Sequence, residues 1–596
     1  MSALRSRALA AGLAAAALSL LPAGRARADD QYALGMFHFN VQYVAGGMVG
    51  YYAVPNPLID LDAETIEDQI VTESFAPVLE LYAKHPTWGV DIELQGYLLD
   101  VLAARHPDTL ALLRTLAQSG QIEVVSFHYS DQFFVAHPRG DWSRSQERTA
   151  ETFGRYHIPL GTSVFCQEGQ SGEVMAREMK DRGYATMVWP KNLWGFQHGD
   201  FAPDPLYRFG DIGLVVGGLG VDWHGNGRHV QATWTFFDDG ELLATGGYNP
   251  YFPDLFHKSE KALAAYEGGL TALESQGWAI TTVSKYAAAV QGALTPAETP
   301  PLFDGTWQPG STDGVHRWLG GAGLWGVDER DNDVRTLASL AHRELAAAVT
   351  IAAAAGLDAA GAIDDAERLL SLGEVSDATG INPFRGEVEY GIGHFTEVLR
   401  IARDVIREAK DRLALGAVTI DPASGTVTEG TADEARGAAG AAAVKLTIDA
   451  GDRAVTETWE TVRTGLTRVE LGFGVGDARA LTVRFPGATG DALVTTRALD
   501  DETPATFDRS AFTFESFYLA LPIGMVGLGD GRFVIEDQAR VHVAGQIFRD
   551  SGDVSFADET QPSGETATWV FYVLEGTPEE AVALARSIND QRAVSR

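Results

Sequence analysis

The sequence predicts an α/β fold in which a parallel barrel of about seven strands precedes a helical bundle and a C-terminal β-sandwich domain. Between about residues 32 and 290, apolar runs rich in β-forming residues alternate with helical patterns. Repeated βα units of this kind build a parallel barrel or a doubly wound sheet, and seven runs favour the barrel. Residues 331–415 then change to a helical periodicity rich in Ala, Leu and Arg. We therefore assign residues 29–330 to the barrel.

The predicted barrel strands share a short apolar run that ends in a turn or a helical pattern. They are Tyr32–Phe39, Val90–Leu94, Ile122–Phe127, Ser163–Cys166, Ala185–Trp189, Leu214–Gly217 and Ala279–Val283. Helical stretches such as Pro107–Ser119 and Lys258–Gln276 lie between strands. Pro107 suits the first turn of its helix, because the N–H that proline lacks has no helical partner there.

The C-terminal half divides into three regions. Two helical stretches, Thr336–Ala355 and Phe395–Leu415, predict a bundle over residues 331–415. Residues 416–440 are rich in Gly, Ala and Thr, which indicates a linker or loose hairpins. Residues 441–596 carry short alternating runs between turn signals, the pattern of a β-sandwich domain. The last stretch, Pro578–Arg592, is predicted to be helical.

The N-terminus has the pattern of a secretory signal peptide over residues 1–28. Arg5 and Arg7 form the basic region, Ala8–Leu21 the apolar core, and residues 26–28 (Ala-Arg-Ala) a cleavage site with small residues. We expect a mature protein that begins near Asp29 and is exported to the periplasm or secreted. We expect that no later run is long and apolar enough to cross a bilayer.

Composition narrows the classes of partner. The formal net charge is −35 at pH 7, and the predicted signal holds four Arg and no acid, so the mature chain is more negative still. A surface of this sign argues against nucleic acid and anionic membranes as partners. The single cysteine, Cys166, excludes an internal disulfide and a zinc–thiolate cluster.

Polar and aromatic side chains gather where the predicted strands end. The segments are Phe37–Tyr43, Asp91–Tyr97, Ser126–Tyr129, Trp189–Trp194 and Asp238–Glu241, together with Glu168. Because parallel strands carry their sites at the carboxyl ends, we expect these segments to meet in one cleft. Aromatic rings stack on sugars, and acids, His and Gln bond to hydroxyls, so this mixture favours a glycan. The sequence has no P-loop or dinucleotide fingerprint, and we expect no cofactor.

Cleavage of a glycosidic bond needs two carboxyl groups, one to protonate the leaving oxygen and one to attack or to activate water. Glu168 ends an apolar run before a Gly-rich turn, and Asp239 follows the aromatic run Thr233–Phe237. We predict these two residues as the pair. Two plainer interpretations stay open: Glu168 as a solvated acid that opens the next helix, and Asp238–Gly240 as a type I turn.

Five short segments resemble, in chain order, the motifs of glycoside hydrolase family 57, the retaining enzymes that act on α-glucans. They are Phe37–Phe39, Gly120–Tyr129, Phe165–Glu168, Asp239–Leu243, and Asp304–Trp307 with Arg317-Trp318. Downstream, Gly373–Asp377 resembles a Ser-Asp segment on the family's helical bundle. Residues 40–42 (Asn-Val-Gln) stand where the family has a second His followed by Gln-Pro. Residues 165–167 (Phe-Cys-Gln) precede Glu168 where Trp and Pro are usual.

The resemblance implies an incomplete (β/α)7 barrel followed by helices, with Glu168 as the nucleophile and Asp239 as the general acid/base. It implies a retaining glycoside hydrolase or transglycosylase that acts on an α-linked glucan or a related oligosaccharide, without a metal. The side chains predicted to contact the substrate lie in the motifs or at strand ends. They are His38, Gln42, Gln95, His128, Trp189, Trp307, Trp318 and Asp377.

Two other interpretations are kept. The first is a metal-dependent enzyme that resembles family 38 α-mannosidases or polysaccharide deacetylases, in which His38, Asp91 and His128 hold a divalent metal. The second is a non-catalytic glycan-binding protein that keeps the cleft without turnover. The departures at residues 40–42 and 165–167 motivate the second.

Overall fold

The computed structural model describes most of the chain between residues 29 and 594. The described ranges are 29–49, 61–134, 137–171, 173–199, 203–245, 257–299, 305–307, 331–378, 385–422, 424–430, 445–488, 492–496, 500–507, 515–518, 523–537, 544–558, 561–590 and 592–594. The predicted signal peptide, residues 1–28, and the predicted substrate contact Trp318 lie outside these ranges.

The N-terminal region is a mixed α/β assembly with eleven strands among the described residues. They are β1 (Asp29–Phe39), β2 (Val90–Leu94), β3 (Ile122–Val124), β4 (Ser163–Val164), β5 (Thr186–Pro190), β6 (Tyr207–Phe209), β7 (Ile212–Gly217), β8 (Val221–Gly225), β9 (Arg228–Asp239), β10 (Ala279–Thr281) and β11 (Ala297–Glu298). Each of the seven predicted runs overlaps one of these strands. The strand β9 is longer than the run Thr233–Phe237 that sequence indicated.

Two sheets divide these strands. One has the order β3-β2-β1-β9-β8, with β10 also paired to β1, and the other has the order β11-β6-β7-β5-β4. β1 is parallel to β2, β9 and β10, and β5 is parallel to β4 and β7. A backbone hydrogen bond from Val125 N to Ile92 O (2.9 Å) continues the pairing of β3 with β2. Another, from Phe165 N to Val125 O (3.1 Å), connects the end of β3 to the end of β4. Seven parallel strands therefore lie side by side in the order β9-β1-β2-β3-β4-β5-β7.

The outer strands of this series, β7 and β9, meet through one side chain. The Phe237 ring of β9 lies so close to Gly217 of β7 that a Cβ at position 217 would stand 2.1 Å from it. Glycine is therefore required at this position for close approach. The contact brings the last strand of the series back toward the first.

Helices follow most of these strands. In this region they are Ala63–Ile70, Ala76–Ala83, Gly96–Arg105, Pro107–Gln118, Arg139–Arg155, Glu173–Asp181, Lys191–His198, Gly240–Thr245, Glu260–Ser275 and Val283–Gln291, with a π-helical turn at Val71–Phe75. Pro107 occupies the first turn of its helix, as predicted. Apolar side chains of β2 (Ile92 and Leu94) and of the helices after it (Leu98, Leu102 and Leu113) share one buried core.

Three long helices, Asp331–Ala355, Ala360–Gly373 and Arg385–Leu413, follow as a bundle. The segment Val334–Ala355 of the first is long and apolar enough to cross a membrane by length and composition, which corrects our expectation that no later run would be. Half of its most apolar window is buried. Ala341 and Leu345 of this helix share a core with residues of the third helix, so its apolar face is used within the bundle.

The C-terminal region is antiparallel. The expected linker or loose hairpins at residues 416–440 contain a hairpin, Val418–Asp421 with Thr426–Glu429, which also pairs with Arg592–Val594. Five strands form one further sheet: Thr447–Asp449, Leu481–Phe485, Val554–Asp558, Ala544–Phe548 and Ser516–Tyr518. Seven form another: Val455–Arg463, Leu466–Phe473, Ala567–Glu575, Arg532–Glu536, Ile523–Gly527, Ala492–Thr496 and Asp500–Phe507.

Aromatic rings connect these two sheets. The rings of Phe485 and Phe556, from the five-stranded sheet, lie 5.2 and 5.0 Å from the ring of Phe571 in the seven-stranded sheet. Edge-to-face and tilted ring contacts of this kind are favourable in a buried core. The helix Pro578–Asp590 then packs on the seven-stranded sheet.

Candidate active site

Three neighbouring strands deliver a row of titratable side chains at their carboxyl ends. His38 is paired in register with Glu93 of β2 and with Asp239 of β9. Residues at one register position of neighbouring parallel strands project from the same face of the sheet. The shared register therefore places an acid, an imidazole and a second acid side by side.

A buried carboxylate joins two imidazole rings in this row. Glu93 Oε2 accepts a hydrogen bond from His38 Nδ1, and Oε1 accepts one from His128 Nε2. His128 Nδ1 donates to the Ser130 carbonyl at 2.7 Å. Burial raises the pKa of Glu93, but the charges of His128 and His38 outweigh it and lower this pKa to about 2. Burial lowers the pKa of His38, whereas Glu93 and Asp131 raise it well above its usual value.

Asp131 is the acid that sequence reasoning missed in this cluster. Its carboxylate oxygens lie 3.8 Å from His38 Nε2 and from His128 Nδ1. They are fully buried and accept no hydrogen bond from the described residues. Burial raises the pKa of Asp131 well above its usual value, and the charge of His38 opposes this. The available signal was its place three residues after His128, but Asp131 lies in the loop beyond the predicted strand end.

Glu168 lies in one turn of 3₁₀ helix, Gln167–Gly169, with φ of 55°. A left-handed backbone at a non-glycine residue costs about 1–3 kcal/mol and persists where its surroundings hold it. Trp307 supplies that support twice. Its Nε1 donates to Glu168 Oε2 at 2.8 Å, and its backbone N donates to Glu168 O at 3.1 Å. The side chain is 7% exposed, which removes the interpretation as a solvated acid.

The structure brings Glu168, Asp239, His38 and Asp377 into electrostatic contact. Burial raises the pKa of Glu168 well above its usual value; His38 lowers it, and the charges of Asp239 and Asp377 raise it further. Burial also raises the pKa of Asp239 to about 6 and that of Asp377 to about 7, and His38 opposes both shifts. Four titratable groups from three strand ends and the bundle therefore share one site, where the imidazole is the cation.

Asn40 connects this site to the helical bundle. Its Nδ2 donates to Asp377 Oδ2 at 2.9 Å, and its backbone N donates to Glu241 Oε1 at 2.8 Å. Its Oδ1 accepts from Gln95 Nε2 and from the Gln42 backbone N, both at 2.7 Å. Glu241 is a second acid that sequence reasoning missed; burial raises its pKa to about 8. The motif position where Asn replaces His is thus occupied by a residue that positions four others.

Two predicted substrate contacts bond within the protein instead. Gln95 donates to Asn40 and accepts from the Val41 backbone N at 3.3 Å. Gln42 Oε1 accepts from Ser130 Oγ at 2.9 Å, and its Nε2 donates to Tyr390 OH at 3.1 Å. Both side chains are buried, so their polar groups are used to hold loops together.

Two further predicted contacts are also enclosed. His128 is fully buried, and each of its ring nitrogens contacts an oxygen of the protein, Glu93 Oε1 and the Ser130 carbonyl. Trp189 is fully buried in the apolar core with Leu193 and Trp194, not at a cleft surface. Every residue of β5 is buried, so a position near the end of this strand does not expose the Trp189 ring. Trp307 does lie in the site, with its ring 5.8 Å from that of His38.

The structure does not bring together the three metal ligands that the sequence suggested, His38, Asp91 and His128. Asp91 Oδ2 accepts from the Val283 backbone N at 2.8 Å, and burial and the charge of Glu123 raise its pKa well above the usual value. At these strand ends, the group whose donor atoms lie within 4.8 Å of one another is His38, Glu93 and Asp131. His38 Nε2 and the Asp131 carboxylate fit a divalent cation, whereas both oxygens of Glu93 already hold imidazoles.

No protein-family model matches the chain. Short segments match curated sequences: 28% identity over 76 residues with an α-amylase of Pyrococcus abyssi, and 30% over 74 residues with a 4-α-glucanotransferase of Thermococcus litoralis. These segments are 13% and 12% of this chain and span 12% and 11% of those proteins. A third match, 36% over 53 residues, is with α-amylase 1 of Dictyoglomus thermophilum and spans 9% of this chain and 8% of that protein.

Among solved structures, an α-mannosidase from Enterococcus faecalis aligns with a TM-score of 0.57 at 9% identity, over 95% of this chain and 90% of that one. This likeness concerns the fold. The 4-α-glucanotransferase from Thermococcus litoralis aligns over 92% of this chain and 99% of that one at 10% identity, with a TM-score of 0.42. Over these short segments, which span about a tenth of the curated proteins, the chain is similar to α-amylases and to a 4-α-glucanotransferase, and over most of its length it shares the fold of the α-mannosidase.

Proposed function

We propose that this protein is an exported, retaining glycoside hydrolase or transglycosylase that acts on an α-linked glucan or a related oligosaccharide. The observation that carries the proposal is the shared site of Glu168 and Asp239, with Glu168 held in a left-handed backbone by Trp307. Two acids near one cation, Glu168 buried and Asp239 partly buried, are an arrangement that a two-carboxylate mechanism can use.

In the first step, Glu168 attacks the anomeric carbon and the bond from that carbon to the leaving oxygen breaks. Asp239 donates its proton to the leaving oxygen, so the products are a glycosyl ester on Glu168 and an alcohol. In the second step, a water or an acceptor sugar hydroxyl attacks the anomeric carbon. Asp239 takes its proton, and the ester bond to Glu168 breaks.

The charges around the two carboxyl groups influence which of them is ionised. The reactive state needs an ionised Glu168 and a protonated Asp239. The charge of Asp239 is one cause that raises the pKa of Glu168, and this cause disappears when Asp239 takes up a proton. The charge of His38 and the hydrogen bond from Trp307 then favour the Glu168 carboxylate. The proposed mechanism requires a proton on Asp239 and a charge on Glu168 when the substrate enters, whereas burial raises the pKa of Glu168 well above its usual value and that of Asp239 to about 6.

We also infer that the seven parallel strands form an incomplete (β/α)7 barrel, that the C-terminal sheets form a β-sandwich domain, and that residues 1–28 direct export. The strand order and the contact between Phe237 and Gly217 support the barrel. The ring contacts of Phe571 support the sandwich. N-terminal sequencing of the exported protein tests the signal and is expected to begin at Asp29.

The mechanism is tested with Glu168→Gln and Asp239→Asn on maltooligosaccharides and on an aryl α-glucoside. We expect Glu168→Gln to lose on the order of 10⁴-fold in kcat with both, because no covalent intermediate forms. Asp239→Asn should lose about 10²–10⁴-fold with oligosaccharides and less with the aryl substrate, whose leaving group needs no proton. Exposed Asp238, changed to Asn, is the matched control. Proton NMR of the first product should show the α-anomer.

Undiminished turnover in both variants, or a β-anomer as first product, would refute the assignment. A protein that binds oligosaccharides but releases no product would instead be the non-catalytic glycan-binding protein.

A second candidate is a metal-dependent glycosidase that resembles family 38 α-mannosidases or a polysaccharide deacetylase. The observation that favours it is the pair of donors His38 Nε2 and the Asp131 carboxylate, which lie 3.8 Å apart and have no hydrogen-bond partner among the described residues. A divalent cation there would polarise a bound oxygen. Metal analysis of the purified protein, with α-mannoside turnover before and after chelation, separates this candidate from the first.

A further inference from the structure

The hairpin of β8 and β9 presents a second group of histidines at the other end of the barrel from Glu168. Asn226 and Gly227 form its turn, with φ of 49° and 74°. Two positive φ values are those of a type I′ turn, for which Asn-Gly is the preferred sequence. This turn places His224 directly opposite His229 in the antiparallel ladder.

Three donor atoms converge on the face of this hairpin. Asp222 Oδ1 lies 2.5 Å from His229 Nε2 and 3.6 Å from His224 Nε2. The two imidazole rings are stacked, with centroids 3.9 Å apart and an angle of 15° between their planes. All three donors lie within 4.8 Å of one another. Asp222 and His224 are 64% and 70% exposed, so a cation reaches them from solvent.

We propose that Asp222, His224 and His229 form a surface site for Zn²⁺ or a similar divalent transition metal. Two imidazoles and one carboxylate are a ligand set that zinc takes, with about 2.0–2.2 Å from metal to each donor. Such bonds put neighbouring donors about 3–3.5 Å apart by tetrahedral geometry, close to the spacing already present. Ca²⁺ and Mg²⁺ prefer oxygen ligands and are poorly matched by two imidazoles. Solvent supplies the fourth ligand.

This site is separate from the proposed reaction. The ten residues from His229 to Asp239 along the extended β9 span about 33 Å, so the metal does not reach the carboxyl pair. β8 is the edge strand of its sheet. A metal bound to His224 and Asp222 on β8 and to His229 on β9 ties this edge strand to its neighbour, and stabilises the folded state in proportion to its binding.

Isothermal titration of the chelator-treated, full-length protein with ZnCl₂ tests the proposal. We expect one equivalent of Zn²⁺ that is lost in the double variant His224→Gln/His229→Gln and bound at least about tenfold more weakly, as for a lost ligand partner, in Asp222→Asn. The matched control is the exposed His157, which has φ of 58° and is changed to Asn because Asn tolerates that backbone. His157→Asn should keep the full equivalent.

A second spectroscopic arm identifies the ligands. Cu²⁺ bound at the hairpin should give an electron paramagnetic resonance signal with coupling to two imidazole nitrogens, and this signal should disappear in the double variant. An unchanged Zn²⁺ equivalent in a folded double variant overturns the proposal, as does the absence of Zn²⁺ binding by the wild-type protein. Zn²⁺ lost only in His38→Gln would assign the metal to the strand-end cluster instead. Oligosaccharide turnover should be the same in wild type and double variant, so this test and that of Glu168 fail independently.

Discussion

The same chemical pair, a histidine and a glutamate, occurs at two places in the N-terminal α/β region with different surroundings. His38 and Glu93 are both buried at the carboxyl ends of β1 and β2. His85 and Glu267 lie at the periphery, with their nitrogen and oxygen 2.7 Å apart and their side chains 26% and 32% exposed. Water screens the second pair, whereas the first pair depends on its own charges for solvation. Both pairs have a hydrogen bond, so it is burial that distinguishes the pair that influences neighbouring pKa values from the pair that lies on the surface.

The buried pair also affects the pKa values of acids outside the pair. The charge of His38 lowers the pKa of Glu168, Asp239, Asp377 and Asp131, each of which burial raises. Glu93 favours this charge, because it raises the pKa of His38. Glu93, which is fully buried, therefore influences the protonation of these four acids through His38. The peripheral pair has no comparable group of acids among its described contacts.

The largest effect is expected from Glu93→Gln. The amide cannot neutralise His38 and His128, and a buried pair that loses one partner costs about 3–5 kcal/mol of unfolding free energy. Because His38 then loses its charge, the pKa values of Glu168 and Asp239 should rise, and the pH profile of kcat/KM should move to higher pH. Urea unfolding at pH 7 measures the first effect and a pH–rate profile the second. A stability change below about 1 kcal/mol, the size of an exposed pair, would contradict the buried ion pair.

The contribution of Glu93 to the stability of the wild-type protein also depends on pH in a defined direction. The folded-state pKa of Glu93 is about 2, whereas an unfolded Glu titrates at about 4.3. Its contribution is therefore complete above about pH 4.3 and is lost as pH falls toward 2. Glu93→Gln should unfold with a smaller dependence on pH in this window than the wild-type protein.

A moderate effect is expected from Asp377→Asn, with the opposite sign in pH. Burial holds the folded-state pKa of Asp377 at about 7, against about 3.9 in the unfolded chain. The folded protein therefore keeps a proton between these values that the unfolded chain releases, and stability falls as pH rises through the window by at most about 1.4 kcal/mol per pKa unit. Asn keeps an oxygen that accepts from Asn40, so the variant should lose less stability than wild type between pH 4 and 8.

Thermal melts across this range measure the difference. Asp365→Asn, on an exposed face of the same bundle, is the control and should melt with the slope of the wild-type protein. Equal slopes in all three proteins would show that Asp377 is not held protonated by its surroundings.

Seven of the strands could be located from the sequence, and the structure brings the predicted residues His38, Glu168, Asp239, Asp377 and Trp307 together, while their roles stay predictions. The reasons for the differences are local. The apolar runs located the strands because buried parallel strands are apolar throughout. The same property concealed the direction of Trp189, since all of β5 is buried. Asp131 and Glu241 lie beyond strand ends, where spacing gives no information on direction. Gln42 and Gln95 were predicted as ligand contacts because an unpaired amide and a paired one look identical in sequence.

The smallest effect is expected from Glu267→Gln, and it completes the comparison with Glu93. An exposed pair contributes about 0–1 kcal/mol, which salt reduces. We expect the loss from Glu267→Gln to stay within that range at low ionic strength and to vanish in 0.5 M NaCl, at about 4 Å of Debye length. The loss from Glu93→Gln should be unchanged by salt, because no counter-ion enters the buried cluster. Urea unfolding of both variants at the two salt concentrations measures these losses. If salt reduced the loss of unfolding free energy equally in both variants, water would have to reach His38.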